Sequence, residues 1–248
     1  MRRTKVTIDF PTLIYRVVTG LVILELFTAG IKQNRIYGLF LLLRIGACLA
    51  GIFFICFSVG RPPLFGPFEA SIYMVGVMGI LALVFQKNAG PLSGFSLFNS
   101  LGTLMILFIQ WDKPMGLNDD YFMYGNLWVN IFFNFRLLTA AFLVHGASQY
   151  LAHLLGKQDT EILLMGGRNT LLAGACLYLV SEWAGSLWCL NWFGDSWQWS
   201  RGFFKASILF LLIMAVCHLP PGLTRNKITR GITGTLPGIF ILWMIFYH

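Results

Sequence analysis

Charged residues are scarce in this chain of 248 residues. They make up 11% of it, whereas 57% of the residues are hydrophobic. A soluble globular surface needs far more polar side chains than this composition provides. The shortage excludes a soluble domain and makes lipid the expected solvent.

Acidic residues are the rarer charged type, with 10 Asp and Glu against 18 Lys and Arg and a formal net charge of +8. The basic residues are scattered in short clusters between apolar runs and form no continuous stripe. This arrangement argues against a nucleic-acid partner, and it is typical of membrane topology and of contacts with a lipid bilayer.

Cysteine motifs are missing as well. The five cysteines include no CxxC pair and no CxxCH, so we predict neither a disulfide framework nor covalent heme on the chain itself. The basic N-terminus resembles that of a signal peptide but lacks an A-x-A-like cleavage site, so we expect it to be retained.

Long apolar runs dominate what is present. About 20 apolar residues form a helix that crosses roughly 30 Å of hydrocarbon, and seven or eight segments approach that length. They cover approximately residues 11–30, 36–59, 68–85, 95–109, 127–155, 163–180, 202–219 and 236–246. Because the runs lack barrel-like alternation, the sequence predicts an all-α, polytopic bundle of about eight transmembrane helices in one domain covering residues 1–248.

Ionisable residues interrupt several of these runs. Arg16 and Glu25 make the first segment the weakest span, so it either crosses the bilayer or lies along its interface. We expect Arg44, Arg136 and Lys205 to pair with residues of other helices or to extend to a lipid headgroup. A more specific alternative is that they contact a carboxylate of a ligand.

Tryptophan is concentrated in one segment, residues 182–201, which we predict to be an external connection between two spans. It contains five of the eight Trp residues, namely Trp183, Trp188, Trp192, Trp197 and Trp199. Two interpretations remain open. The rings form an interfacial aromatic belt, or, with the neighbouring glycines, they form a flat platform for a large planar ligand such as a porphyrin.

Four histidines complete the inventory: His145, His153, His218 and His248. A single histidine on an apolar helix is commonly a packing residue, but ionisable residues within a bilayer are rare and mark functional sites. Neutral imidazole is also a ligand for heme iron.

The order of these residues resembles a known family. The stretch WFGDSWQWS, residues 192–200, is followed after one apolar run by Val216-Cys217-His218 and after the next by His248. This pattern is similar to the tryptophan-rich signature of heme-handling cytochrome c assembly proteins, most closely the system II membrane subunit called CcsA or ResC. Upstream, GRPPLFGPFEASIYM, residues 60–74, is similar to the family's Pro-containing outer loop, with Phe68-Glu69 as its aromatic-Glu pair.

The resemblance implies a divergent membrane subunit of a heme lyase complex in a bacterial-type inner membrane. Such a protein binds heme b transiently and without a covalent bond, and presents it to the CxxCH of an apocytochrome c. A second membrane subunit, of CcsB or ResB type, is implied as a partner. The implied heme-binding residues are Trp192, Phe193, Gly194, Trp197, Trp199, His218 and His248, the two histidines as iron ligands, with His145, His153, Asn134, Glu182 and Asp195 as additional candidates.

The sequence departs from the family pattern at several positions. Phe193 stands in place of the first signature Trp, and residues 200–203 replace its closing Asp-Pro-Lys-Glu. The external histidine expected before the signature has no counterpart, since Asn126, Asn130 or Asn134 occupies that neighbourhood. An amide cannot replace imidazole as a strong axial ligand, so the site is either divergent or completed by a partner.

The spacing of the histidines predicts two heme positions. His218 follows Ser200 by 18 residues, about 27 Å along a helix and nearly the whole hydrocarbon thickness. His248 returns to the outer side after one more span, and His153 is the candidate to share an inner position with His218. Two alternatives remain open: a heme or electron relay without attachment chemistry, and a small-molecule transporter.

Basic residues in the connections predict the orientation. If the Trp-rich segment is external, eight Lys and Arg flank the spans inside and three outside. Arg2, Arg3 and Lys5 oppose this orientation if the first segment spans, and support it if that segment is interfacial.

We therefore expect an impermeant thiol reagent to modify Cys189 in intact cells, because this cysteine lies in the predicted external segment. Mass spectrometry of the purified chain measures the labelling. Modification that appears only after lysis would reverse the predicted topology.

Overall fold

The computed structural model describes residues 10–89, 93–111, 117, 125–155, 160–194, 201–220 and 226–247. Within these ranges the secondary structure is helical. The helices are α1 Phe10–Gly30, α2 Asn34–Val59, α3 Pro67–Ala89, α4 Ser93–Ile109, α5 Leu127–Leu155, α6 Thr160–Phe193, α7 Arg201–Cys217 and α8 Lys227–Phe246.

Six of these helices are long and apolar enough to cross a membrane, and α4 and α7 are shorter apolar helices of 17 residues each. At 1.5 Å per residue the two shorter helices are about 25 Å long. The predicted polytopic helical bundle is confirmed, and the chain is a multi-pass membrane protein.

The first helix belongs to this bundle and does not lie apart from it. α1 packs against α2 and α4, and Val18 and Val22 are fully buried there. The hydroxyl of Tyr15 donates to the carbonyl of Leu107 at 2.7 Å. The interfacial alternative for this segment is therefore not the arrangement found.

The centre of the fold is α5, which packs against α3, α4, α6 and α8. Nearly every residue of its second half is buried, and its apolar residues are spread around the helix and form no single stripe. Such a distribution is typical of a helix surrounded by other helices.

Glycines allow α8 to approach α5 closely. A Cβ atom built on Gly234 would lie 2.2 Å from the ring of Tyr150, and one on Gly238 would lie 2.8 Å from the Cβ of Ala147. Small residues at such crossings let the two backbones pack closely. This packing matters in a bilayer because the hydrophobic effect does not drive helices together there.

The helix ends gather at two faces of the bundle. One face, here called the aromatic end, contains the start of α5 and the end of α6. Contacts there include Phe65 with Phe133 and the Lys205 ammonium over the ring of Trp243. The opposite face, here called the basic end, carries Lys32, Arg35, Lys87, Arg168, Lys227 and Arg230.

Two predicted boundaries are wrong. α6 continues to Phe193, so residues 182–193 of the predicted external connection are helical. With 34 residues α6 is about 51 Å long, well beyond the hydrocarbon thickness. α8 begins at Lys227 rather than near residue 236, because the side chain of Asn226 caps it by accepting from the N–H of Ile228 at 2.9 Å.

Replacement of Gly234 by Ala should lower the free energy of unfolding by about 1–3 kcal/mol, because the new methyl group overlaps the ring of Tyr150. Unfolding by SDS titration of the purified protein measures this. Gly46→Ala is the matched control, since a Cβ at Gly46 would have no neighbouring atom within 4 Å in the described part of the chain. Equal effects of the two substitutions would contradict the close helix contact.

Candidate functional site

Aromatic side chains cover the outer part of α6 on the side that faces the bundle. Trp188 packs against α5, with its ring centroid 5.8 Å from that of Phe132 and 6.3 Å from that of Phe133. Trp192 lies one helical turn further out, on the same face, and is 50% exposed. Trp192 therefore lies above the start of α5, on the bundle-facing side of α6.

Two further predicted heme-binding residues, Phe193 and Gly194, lie at the surface where α6 ends. Phe193 is exposed, and Gly194 closes the helix in the left-handed conformation, with φ of 74°. Its N–H donates to the carbonyl of Leu190 at 3.0 Å. A glycine is favoured here because other residues rarely adopt this conformation.

The segment between α2 and α3 is connected to the Trp-rich part of α6 through Phe133 of α5. Arg61 donates two hydrogen bonds to Glu69, of 2.6 and 2.8 Å, and both side chains are buried. The ring of Phe65 lies under Arg61 and also contacts Phe133, which in turn contacts Trp188. The structure thus places residues 61–69 and the end of α6, where the Trp-rich signature begins, at the same end of the bundle.

A second ion pair lies beside this aromatic cluster. Arg136 of α5 donates to Glu182 of α6, and its guanidinium lies 4.2 Å from the ring centroid of Phe132. Both side chains are partly exposed. The predicted pairing of Arg136 across helices is confirmed, and Glu182 is positioned next to the tryptophans by this contact.

The asparagines near the missing histidine have structural partners. Asn126 caps α5 by accepting from the N–H of Trp128 at 2.9 Å. Asn134 accepts from the hydroxyl of Tyr73 on α3. Asn134 therefore joins α5 to α3 close to the aromatic cluster.

The described histidines occupy three different environments. His145 is buried in the bundle, with Nδ1 3.0 Å from Oδ1 of Asn99 and its ring edge against Phe95. His153 is buried near the basic end of α5, and His218 is exposed where α7 ends. The structure therefore separates His145 from the aromatic end.

Four of the predicted site residues lie outside the described ranges: Asp195, Trp197, Trp199 and His248. Their predicted roles remain predictions. Within the described part of the chain, no group of three or more His, Cys, Asp and Glu side chains is arranged to hold a metal ion. An axial pair of ligands on a heme iron needs only two side chains.

A buried polar cluster lies near the middle of the bundle, and only Glu25, Arg44 and His145 of its members were singled out from the sequence. The Nε atom of Arg44 lies 2.9 Å from Glu25, an ion-pair distance with an angle outside hydrogen-bond geometry. Arg44 also donates to Thr103 at 3.0 Å, and Ser100 donates weakly to Glu25 at 3.4 Å. The ion pair joins α1 to α2, and α4 contributes the hydroxyl groups.

The part of this cluster that sequence reasoning missed lies on α4. Ser96, Asn99, Ser100 and Thr103 are all buried and follow the spacing of one helix face. Four polar residues at such spacing in an apolar helix are a readable signal for an interior polar stripe, because the opposite face of the helix meets lipid.

Some donors of the buried polar cluster have no hydrogen-bond partner among the described residues. These include Nη2 of Arg44 and Nδ2 of Asn99, and both amide atoms of Gln149 are also unpartnered. Nη2 of Arg44 lies against α3 at Gly79, where a Cβ would be 3.3 Å away. The cluster therefore holds more hydrogen-bonding capacity than its own side chains use.

Comparisons with known proteins add no identification. No protein-family model matches the chain, no curated protein matches it, and no solved structure matches its fold. The proposed function rests on the residues and their geometry.

Proposed function

We propose that the chain is a heme-handling membrane subunit that binds heme at its aromatic end and presents it to an apocytochrome c. The observation that carries the proposal is the position of Trp192. It is half exposed, yet it shares the bundle-facing side of α6 with the packed Trp188. A belt tryptophan is expected on the lipid-facing side of a helix instead.

The residues around Trp192 fit a porphyrin in size and chemistry. Phe193 and Trp192 provide exposed apolar faces, and Gly194 lets the backbone approach closely. Arg136, partly exposed beside Glu182, is a cation within the same region that suits a propionate. Heme would supply the vinyl groups that react with the thiols of a CxxCH.

The protein contributes positioning in this proposal. The Arg61–Glu69 pair and Phe65 fix the segment that leads into α3, and Phe133 connects it to Trp188. A rigid aromatic wall keeps a planar ligand oriented and excludes water on one side. The expected CcsB- or ResB-type partner would complete the ligand set that this chain lacks.

The inner heme position remains part of the proposal. His153 and His218 both lie at the basic end, and Cys217 of α7, next to His218, lies near Tyr150 of α5. Nδ1 of His153 has no hydrogen-bond partner among the described residues, so that nitrogen is available to a ligand. His248 would serve the outer position.

A second candidate function is small-molecule transport, and one specific observation favours it. The buried polar cluster puts Glu25, Arg44 and His145 inside a bundle of membrane helices. Intramembrane ionisable residues commonly mark substrate or ion pathways. Under this alternative the purified protein carries no Soret absorption.

Replacement of Trp192 by Ala should lower the heme content of the purified protein at least several-fold, because one face of the proposed platform is removed. The matched control is Trp111→Ala, since Trp111 is 59% exposed beyond the last turn of α4. The Soret absorption per mole of protein measures occupancy, after co-expression with the partner subunit.

Equal losses of heme in the two variants would favour the aromatic-belt interpretation. A wild-type protein without Soret absorption would contradict heme binding altogether.

Imidazole added to a His218→Ala variant should partly restore its spectrum if His218 is an axial ligand, and should have no effect if the residue only packs.

A further inference from the structure

The first turn of α8 is unusually basic for a helix start. Lys227 and Arg230 lie within it, although the positive end of the helix dipole disfavours cations there. The Asn226 side chain accepts from the N–H of Ile228, and the other N–H groups of this helix start favour an anion. Two cations and a helix start on one side of the bundle reinforce each other as an anion-binding surface.

Arg168 of α6 is the third cation near this surface, because Tyr150 packs against glycines of both α6 and α8. The ring of Tyr150 lies between two helices, since a Cβ on Gly167 of α6 would be 2.8 Å from it and one on Gly234 of α8 would be 2.2 Å from it. Arg168 follows Gly167 directly, and Arg230 precedes Gly234 by one turn. Both cations lie near Tyr150.

An unpartnered buried nitrogen faces the same group of charges. His153 is 3% exposed, and its Nδ1 has no hydrogen-bond partner within the described part of the chain. Lys227 and Arg230 both lie near its ring. Arg230 is therefore close to both His153 and Tyr150, with Lys227 near the first and Arg168 near the second, all at the basic end.

We propose that this place binds the phosphate of an anionic phospholipid headgroup. The site is formed by Arg168, Lys227 and Arg230 beside Tyr150 and His153. Its position at the ends of membrane-spanning helices is the level at which headgroup phosphates lie. Exposed apolar side chains, Ile228 and Ile232 of α8 and Met165 of α6, lie next to it and suit acyl chains.

The lipid site lies away from the aromatic end, where heme would be presented, but it shares His153 with the proposed inner heme position. Lipid binding is therefore measured on protein purified without heme, so that failure of heme binding at the aromatic end leaves the lipid result measurable.

The experiment uses the full chain in a neutral detergent. Binding of fluorescently labelled phosphatidylglycerol is measured by anisotropy for the wild type and for the double variant Arg168→Gln/Arg230→Gln. The variant should bind about thirtyfold more weakly, because two cationic contacts to the headgroup are lost. Arg35→Gln/Lys87→Gln removes the same charge at the same end of the bundle and should bind within about twofold of the wild type.

Several results would overturn the proposal. Equal weakening in both double variants indicates general surface charge instead of a site. Equal binding of labelled phosphatidylcholine excludes recognition of an anionic headgroup, and competition by millimolar inorganic phosphate assigns the site to a soluble anion. The variant Arg168→Lys/Arg230→Lys keeps the charges and should retain most of the affinity, which separates lost binding from misfolding.

Discussion

A carboxylate inside a bilayer needs a cation beside it, and in this protein Arg44 meets that need for Glu25. Both side chains are fully buried, 2.9 Å apart, on the first two helices. Without this pair each charge would face hydrocarbon at a cost of several kcal/mol. The ion pair is what allows α1, the weakest span by sequence, to pack inside the bundle. Thr103 of α4 binds the same guanidinium and extends the connection to a third helix.

The polar contacts of α1, α2 and α4 continue into the rest of the bundle. Asn99 of α4 holds His145 of α5, so the polar stripe continues into the central helix. Glycines of α6 and α8 then bring those helices against Tyr150. The resulting bundle has two chemically different ends. Tryptophans and paired charges gather at one end, and cations gather around His153 at the other. Each end offers its own kind of site.

The number of helices and most of their bounds could be predicted from hydropathy, because apolar length alone decides whether a segment can span. The extension of α6 to Phe193 could not, since polar and aromatic residues at a helix end resemble a connection. The sequence indicated that Arg44 and Arg136 would pair with residues of other helices, but hydropathy cannot identify those residues. The polar stripe on α4 was readable from its spacing. The series of contacts from Arg61 through Phe65 and Phe133 to Trp188 depends on how the helices pack, which no local pattern contains.

A double-mutant cycle on Glu25 and Arg44 tests most directly whether this ion pair holds α1 in the bundle. The free energy of unfolding is measured by SDS titration for Glu25→Gln, for Arg44→Met and for the two together. Each single variant should lose about 3–5 kcal/mol, because a buried charge is left without its partner, while the double variant should be close to the wild type. Additive losses, or single variants as stable as the wild type, would contradict the account.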